Sequence, residues 1–221
     1  MLKTTIYGKN EIFVDTSDVR GQWIIDQKGT QKEKITLLKK VCIANNVDIF
    51  VDIGANYGEF SVALSEKVNE VHSFEPNPTV FKCLKETVKL YDNMNIYQKA
   101  VMDVEGVADF YLHKKYSGGG RLSPWTWNEN NRKENYEKVK VSTCDILDIL
   151  SNLEIQPKCI LLKMDTEGSE IKLINYLKDY LMATDKWFIF FEKNKITPSQ
   201  RKNLPGRILI DMQHDMLIGK I

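Results

Sequence analysis

A chain of 221 residues, 43% hydrophobic and 28% charged, has the make-up of an ordinary globular protein with enough apolar side chains for one full core. Its 31 basic residues against 30 acidic ones leave a net charge of +1, which excludes global steering toward nucleic acid or an anionic membrane. No stretch approaches the roughly 18 apolar residues of a membrane-spanning helix, and Cys42, Cys83, Cys144 and Cys159 are scattered without CxxC spacing or a histidine partner.

Those cysteines are expected to be buried free thiols of a reducing compartment. The opening MLKTTIYGKNE carries no apolar leader, so the expected setting is the cytoplasm, with no nucleic-acid partner and no membrane span. Oligomeric state has no signal in the sequence. Residues 1–46 read as an entry segment that packs on a domain of residues 47–221. Thr4 to Asp15 alternates around Gly8-Lys9-Asn10, which predicts a hairpin. Gly21 to Ile25 predicts a short strand, and Ile35, Leu38, Val41 and Cys42 recur at helical spacing up to Asn45-Asn46.

The first core strand follows. Val47, Ile49, Phe50, Val51 and Ile53 form the nearly unbroken apolar run of a strand buried on both faces of a parallel sheet. It breaks at Asp52-Ile-Gly-Ala-Asn-Tyr-Gly58, where Gly54 and Gly58 permit a tight turn and a close backbone approach. Phe60 to Leu64 predicts a helix, and Val71 to Phe74 a second strand that ends in Glu75. Strand, glycine turn, helix, strand and acid make half of a Rossmann nucleotide site, with Glu75 placed to accept hydrogen bonds from ribose hydroxyls.

A dinucleotide site needs G-x-G-x-x-G, whose backbone N–H groups and helix N-terminus hold a pyrophosphate. Here the middle glycine is missing, and the pattern reads D-x-G-x-N-x-G. Asp52 at the strand end and Glu59 at the helix start suit a ligand with positive charge better than one with two phosphates. S-adenosylmethionine, with a sulfonium, an ammonium, a ribose and no phosphate, is such a ligand. The alternative is a structural βαβ turn of an unrelated α/β protein.

After Pro76-Asn-Pro78, the residues Val80, Phe81, Leu84 and Val88 share a helical face, and a third strand is expected from Asn95 to Val101. Ala100 and Val101 then fall at the carboxyl edge of the sheet, where an adenine should stack. Gly106 to His113 reads as an antiparallel or edge strand. A loop insertion spans about residues 114–137, glycine-rich and then aromatic, and its length marks it as a lid or binding loop. Arg121, Trp125 and Trp127 are its candidate substrate-binding residues, because tryptophans stack on sugar and base faces. Val139 to Thr143 predicts a strand and Asp145 to Leu153 a helix. Cys159 to Met164 predicts a buried strand that ends in Asp165, Glu167, Ser169 and Glu170, before a helix over Ile171 to Leu181. Ligands of open α/β sheets sit outside the carboxyl ends of the strands, so Asp52 and Asp165 should face one crevice. A bare helix cap is the competing role for Glu167, Ser169 and Glu170. Trp187 to Glu192 predicts another buried strand, and Arg207 to Met212 with Met216 to Ile218 a terminal pair.

Three blocks, VDIGANYGEFS, FEPNP and LLKMDTEGSE, in this order and between Asn46 and Glu192, together resemble the FkbM-type S-adenosylmethionine-dependent methyltransferases. The resemblance implies an α/β, Rossmann-like class I methyltransferase fold: a mostly parallel seven-stranded sheet with helices on both faces. It also implies methyl transfer to a hydroxyl of a small molecule or a sugar or glycan acceptor. By position it implies that Asp52, Gly54, Asn56 and Gly58, with Ala55 between them, cradle the methionine part, and that Glu75 with Pro76 holds the ribose. The block of Asp165 and Glu167 would lie by the transferred methyl. The general class I motif has glycine where this chain has Asn56, a departure that the family resembled here tolerates. The short C-terminal part leaves the substrate-binding edge open.

Methyl transfer is an in-line displacement, so holding donor and acceptor in line can supply roughly 7–11 kcal/mol. An alcohol gains about 10²–10⁴-fold from a base within reach. Candidate catalytic groups are Asp165, Glu167 and His113, whereas His72, inside a strand, reads as structural. A divalent metal on Asp165 and Glu167 is another way to activate the hydroxyl. An NAD-dependent oxidoreductase and a non-catalytic protein with a vestigial cofactor pocket are the competing readings.

Overall fold

The computed structural model describes residues 1–122, 133–153, 157–193 and 196–221. Strands β1 (Leu2–Ile6) and β2 (Asn10–Val14) form an antiparallel hairpin, and α1 (Val19–Gln27) and α2 (Lys32–Asn45) follow. Then come β3 (Ile49–Ile53), α3 (Glu59–Ser65), β4 (Glu70–Phe74), α4 (Pro78–Val88), β5 (Met94–Tyr97), β6 (Ala100–Met102) and β7 (Gly106–His113). The chain goes on through β8 (Tyr136–Asp145), α5 (Ile146–Ser151), β9 (Cys159–Met164), α6 (Glu170–Tyr176), α7 (Lys178–Ala183) and β10 (Lys186–Glu192). Helix α8 (Pro198–Lys202) and strands β11 (Arg207–Asp211) and β12 (Asp215–Lys220) end it.

Seven strands make the main sheet in the order β11-β12-β10-β9-β3-β4-β5. All pairs from β10 to β5 are parallel, and β12 runs antiparallel between β10 and β11. This is the mostly parallel seven-stranded sheet expected. Strand period sorts the side chains into two cores. Phe50, Leu161, Phe188 and Phe190 join one core with the hairpin and α1 to α4. Ile49, Val51, Ile53, Ile160, Leu162 and Ile189 face the other way and pack on α5, α6 and α7. Helices therefore cover both faces.

The first expected strand after the hairpin is instead helix α1. Asp18 caps it, its carboxylate accepting from Gly21 N–H, and the buried Gly21 and Ile24 lie one helical turn apart. A Cβ on Gly21 would stand 2.1 Å from the Asp15 carbonyl oxygen, so close packing and not strand pairing accounts for that glycine. The expected third strand is also split. Its first half, β5, pairs with β4, and its second half, β6, leaves for a small sheet of order β6-β8-β7. Strands β7 and β8 pair antiparallel from Gly106↔Thr143 to His113↔Tyr136, so the predicted insertion is the connection of this ribbon.

The hairpin is fastened to the α3–α4 face. Asn10 Nδ2 donates to the Val62 carbonyl at 3.1 Å, and Phe13 N–H to Thr87 Oγ1 at 2.9 Å. Ile6, Ile12 and Val14 are fully buried there, each contributing about 1.5–3 kcal/mol of burial. None of the helices among the described residues is long and apolar enough to cross a membrane.

Candidate active site

A cavity opens at the carboxyl ends of β4, β3, β9 and β10, lined by Glu75, Gly54, Asp165 and Glu192 from those four strand ends. Ala55, Asn56, Pro76, Ala100 and Val101 also line it, with Phe74, Phe110 and Leu122 supplying apolar wall near Ala100. All of the expected cofactor residues except Asp52 and Gly58 stand on this wall.

Asp52 is fully buried behind it. Its Oδ2 accepts from Ser61 Oγ at 2.6 Å, and its Oδ1 lies 3.1 Å from Lys163 Nζ. The expectation that Asp52 touches the ligand does not match this placement: its charge is consumed in tying β3 to β9. Lys163 also donates to the Gly54 carbonyl at 2.8 Å and lies 3.8 Å from Asp165. Burial opposes its charge, but Asp52 and Asp165 outweigh burial and hold its pKa above the ordinary lysine value. Gly58 is the left-handed residue before α3, at φ +84°, where a Cβ would stand 2.8 Å from Leu84. Gly54, at φ +76°, would put a Cβ 2.1 Å from the Asp165 carbonyl oxygen. The close approach predicted for Gly54 is thus between two strand ends of the protein itself.

The turn uses its own donors. Gly54 and Ala55 N–H both reach the Phe74 carbonyl, Gly58 N–H reaches that of Ala55, and Tyr57 N–H reaches Asn56 Oδ1. Asn56 N–H donates to Glu75 Oε2 at 2.8 Å, and Asn77 N–H to Glu75 Oε1 at 2.8 Å. Five consecutive backbone donors are engaged within the protein, which leaves the turn no cradle for a pyrophosphate. Glu75 is 5% exposed, and burial pushes its carboxyl up to about 7 against the pull of those two N–H donors. Each of its oxygens retains lone-pair capacity for a further donor.

Beyond β9 the chain bends at Glu167 (φ +58°) and Gly168. Glu170, 5% exposed, accepts from Thr166 N–H, Thr166 Oγ1 and Gly168 N–H. Glu170 is therefore the acid that braces the helix entry, while Asp165 and Glu167 line the cavity. Glu192 joins them: one carboxylate oxygen from each of the three lies within 4.8 Å of the others. Three carboxylates are oxygen ligands suited to a hard divalent cation, and any of them also suits a proton acceptor. Glu192 could have been found as the acid ending a buried strand at the same sheet edge.

Arg121 is 5% exposed and does not line the cavity. Its guanidinium lies 3.5 Å from Glu167 and over the Tyr136 ring, where it orients that acid. His113 also lies off the cavity wall. Its Nδ1 accepts from Lys115 and Tyr116 N–H at 3.2 and 3.0 Å, and burial, then Arg121, lowers its pKa. A ring nitrogen committed to bracing a turn is a poor base. His72 is buried between Glu70 and Tyr97 on another part of the sheet, in the structural place expected. Trp125 and Trp127 lie outside the described residues.

The N-terminal segment supplies wall through Arg20, Gln31 and Lys34. Glu59 holds it, accepting from Tyr7 Oη, Arg20, Thr30 N–H and Thr30 Oγ1. Asp18 forms a second tie: it accepts from Tyr57 Oη and from both Ser117 N–H and Ser117 Oγ, while Asn56 Nδ2 donates to Ser117 Oγ. Ser117 and Tyr116 are thereby fixed at the cavity. A short polar residue before a helix could have marked Asp18 as a cap had the stretch been read as helical, and nothing in the sequence marks its reach to Ser117.

The comparisons with known proteins agree with this architecture. The Escherichia coli protein yhhF, a proposed methyltransferase, has a solved structure similar over 99% of this chain and 98% of that one, at 13% identity and a TM-score of 0.52. An FkbM methyltransferase structure from Methylobacillus flagellatus KT is similar over 64% of this chain and 32% of that one, at 18% identity and a TM-score of 0.42. A ribosomal RNA small subunit methyltransferase A from Caldanaerobacter subterraneus is 31% identical over 72 residues, 31% of this chain and 27% of its own length. The chain thus spans only about a quarter to a third of the FkbM structure and of that RNA methyltransferase. Fold and strand-edge cavity define the class: a Rossmann-like class I methyltransferase fold. The methyltransferase FkbM domain model matches residues 52–216, and the chain belongs to that family. Membership implies use of S-adenosylmethionine. The residues present fit that cofactor, since the ring of spent N–H donors refuses phosphate and the buried Glu75 offers acceptors to a diol.

Proposed function

We propose that this protein transfers a methyl group from S-adenosylmethionine to a hydroxyl of a small-molecule or sugar acceptor. The observation that carries the cofactor half is Glu75, a buried carboxylate at the β4 end whose two oxygens each accept one backbone N–H and keep capacity for ribose hydroxyls. Phe74, Ala100, Val101, Phe110 and Leu122 offer an apolar slot for adenine. The cofactor supplies an electrophilic methyl carbon on a sulfonium. The chain's residues must then hold the acceptor oxygen in line and accept its proton.

Asp165, Glu167 and Glu192 are the groups for that proton. Asp165 is half exposed at its side chain and faces the cavity, whereas Glu167 leans on Arg121. Asp165 is thus the first candidate base, with Glu167 and Glu192 at hand for the acceptor hydroxyl or for a divalent cation that would lower its pKa. An RNA acceptor is the second reading, favoured by the 72-residue match to the ribosomal RNA methyltransferase.

The test is transfer of labelled methyl from S-adenosylmethionine to panels of sugars, hydroxylated small molecules and RNA, by wild type and Asp165→Asn. The expected result is label in a hydroxyl compound, with turnover about 10²–10⁴-fold lower in the variant and unchanged affinity for S-adenosylhomocysteine. An unchanged rate would move the base elsewhere, and label in RNA alone would favour the second reading. Chelation by EDTA separates the metal route, which predicts loss of transfer, from a side-chain base alone.

A further inference from the structure

The family match begins at residue 52, so the wall contributed by α1 lies outside it. In that wall Arg20 is nearly buried, its side chain 14% exposed, and one guanidinium nitrogen donates to Glu59 Oε2 at 2.8 Å. Glu59 is itself pinned by Tyr7 and Thr30, so the guanidinium is fixed in place. It lines the same cavity as Gly54 and Asp165, by the β3 and β9 strand ends, and its guanidinium also meets the Tyr116 hydroxyl.

Of the five N–H donors of a guanidinium, part serve Glu59 and the Tyr116 hydroxyl, and the rest are left to face the cavity. The other cations along the described lining are engaged differently. Lys163 serves Gly54 and Asp52, Lys34 pairs with Asp215 at 2.8 Å, and Lys99 pairs with Glu105 at 3.1 Å. Sheet order fixes the direction of a bound ligand. From Ala100, the edge runs to Glu75 at the end of β4, then Gly54 after β3, then Asp165 after β9. With a ribose at Glu75 and its adenine toward Ala100, whatever continues from the other side of the ribose runs toward Arg20.

We propose that Arg20 binds the α-carboxylate of the amino-acid tail of S-adenosylmethionine, a pairing that rests on the cofactor assignment above. A planar fork held by a buried acid and by Tyr116 can turn its remaining N–H donors to a carboxylate as charge-assisted hydrogen bonds. Arg20 is thus a binding residue supplied by the N-terminal segment, and it makes that segment part of the cofactor site.

Three probes test this by calorimetry: S-adenosylhomocysteine, its decarboxylated analogue that keeps the amine, and 5′-methylthioadenosine, which has no amino-acid tail. Wild type should bind S-adenosylhomocysteine about 10–100-fold more tightly than the decarboxylated analogue. Arg20→Gln should abolish that gap and bind the other two probes within about twofold of wild type. Arg20→Lys, which keeps a charge for Glu59 should Arg20→Gln fail to fold, should narrow the gap without closing it. A wild type without the gap, or variants that keep it in full, would overturn the assignment while leaving the cofactor reading intact. Failure of wild type to bind any of the three probes would sink both.

Discussion

Replacing Glu75 by Gln keeps its shape and removes its charge. The carboxylate is 5% exposed and accepts Asn56 and Asn77 N–H at 2.8 Å each. A glutamine has one acceptor oxygen, so one of those N–H groups would face an NH₂ and be left unsatisfied. That loss costs about 1–3 kcal/mol of stability. Ribose hydroxyls donating to a charged acceptor are worth about 1.5–3 kcal/mol, so affinity for S-adenosylhomocysteine should fall about 10–150-fold. The same residue predicts a pH dependence. Burial raises its carboxyl to about 7, so the ligand-free site is largely protonated below that pH. Hydrogen bonds from the ribose favour the carboxylate, so binding lowers this pKa and releases a proton. Affinity should therefore rise as pH increases toward 7 and level off above it, losing up to about 1.4 kcal/mol per unit below. The sign for folding is opposite: an acid with a raised native pKa binds more protons folded than unfolded, so its contribution to stability falls as pH climbs from the ordinary carboxyl range to about 7. Calorimetry in buffers of different ionisation enthalpy counts the released proton at pH 6–7. Affinity within twofold of wild type in Glu75→Gln, or wild-type binding with no proton release, would refute the ribose assignment.

Three further substitutions probe the scaffold. Lys163→Met leaves Asp52 charged, fully buried and supported only by Ser61, so denaturant unfolding should show a loss of about 3–5 kcal/mol. The double variant with Asp52→Asn should recover part of it, and additive losses would deny the pairing. Gly54→Ala places a Cβ 2.1 Å from the Asp165 carbonyl at φ +76°, so the two strand ends must part. Melting should drop by well over 1 kcal/mol equivalent and cofactor affinity should fall with it; a neutral result would contradict the close approach. Asp18→Ala removes a helix cap, costing about 1 kcal/mol. It also frees Ser117 and Tyr57, so amide exchange around residues 114–122 should accelerate, and unchanged protection there would deny the tie.

The stretch from Val47 to Glu75 was legible because its physics is local: an apolar strand, a glycine turn and an acid at the next strand end follow one another in the chain. The seven-stranded sheet was legible for the same reason, each buried strand being a compact apolar run. The buried place of Asp52 was not legible because its partner, Lys163, lies on a strand far along the chain, and spacing cannot tell an acid facing a ligand from one facing a lysine. The pairing of Arg121 with Glu167 was hidden likewise, being set by tertiary contact, whereas His113 braces the local turn at Lys115 and Tyr116. Arg20 left no signal, because one arginine on a short helix looks like any solvated cation until Glu59 and the cavity are in place. Glu192 is the reverse case, an acid whose position at a strand end was visible and whose meeting with Asp165 and Glu167 was not.

On the function proposed above, this strand-edge cavity takes S-adenosylmethionine and no dinucleotide. Calorimetric titration of the purified protein with S-adenosylhomocysteine and then with NADH tests it most directly. Micromolar binding of the first and none of the second is expected, because the turn from Gly54 to Gly58 has its N–H groups engaged within the protein. Binding of NADH without S-adenosylhomocysteine would contradict it.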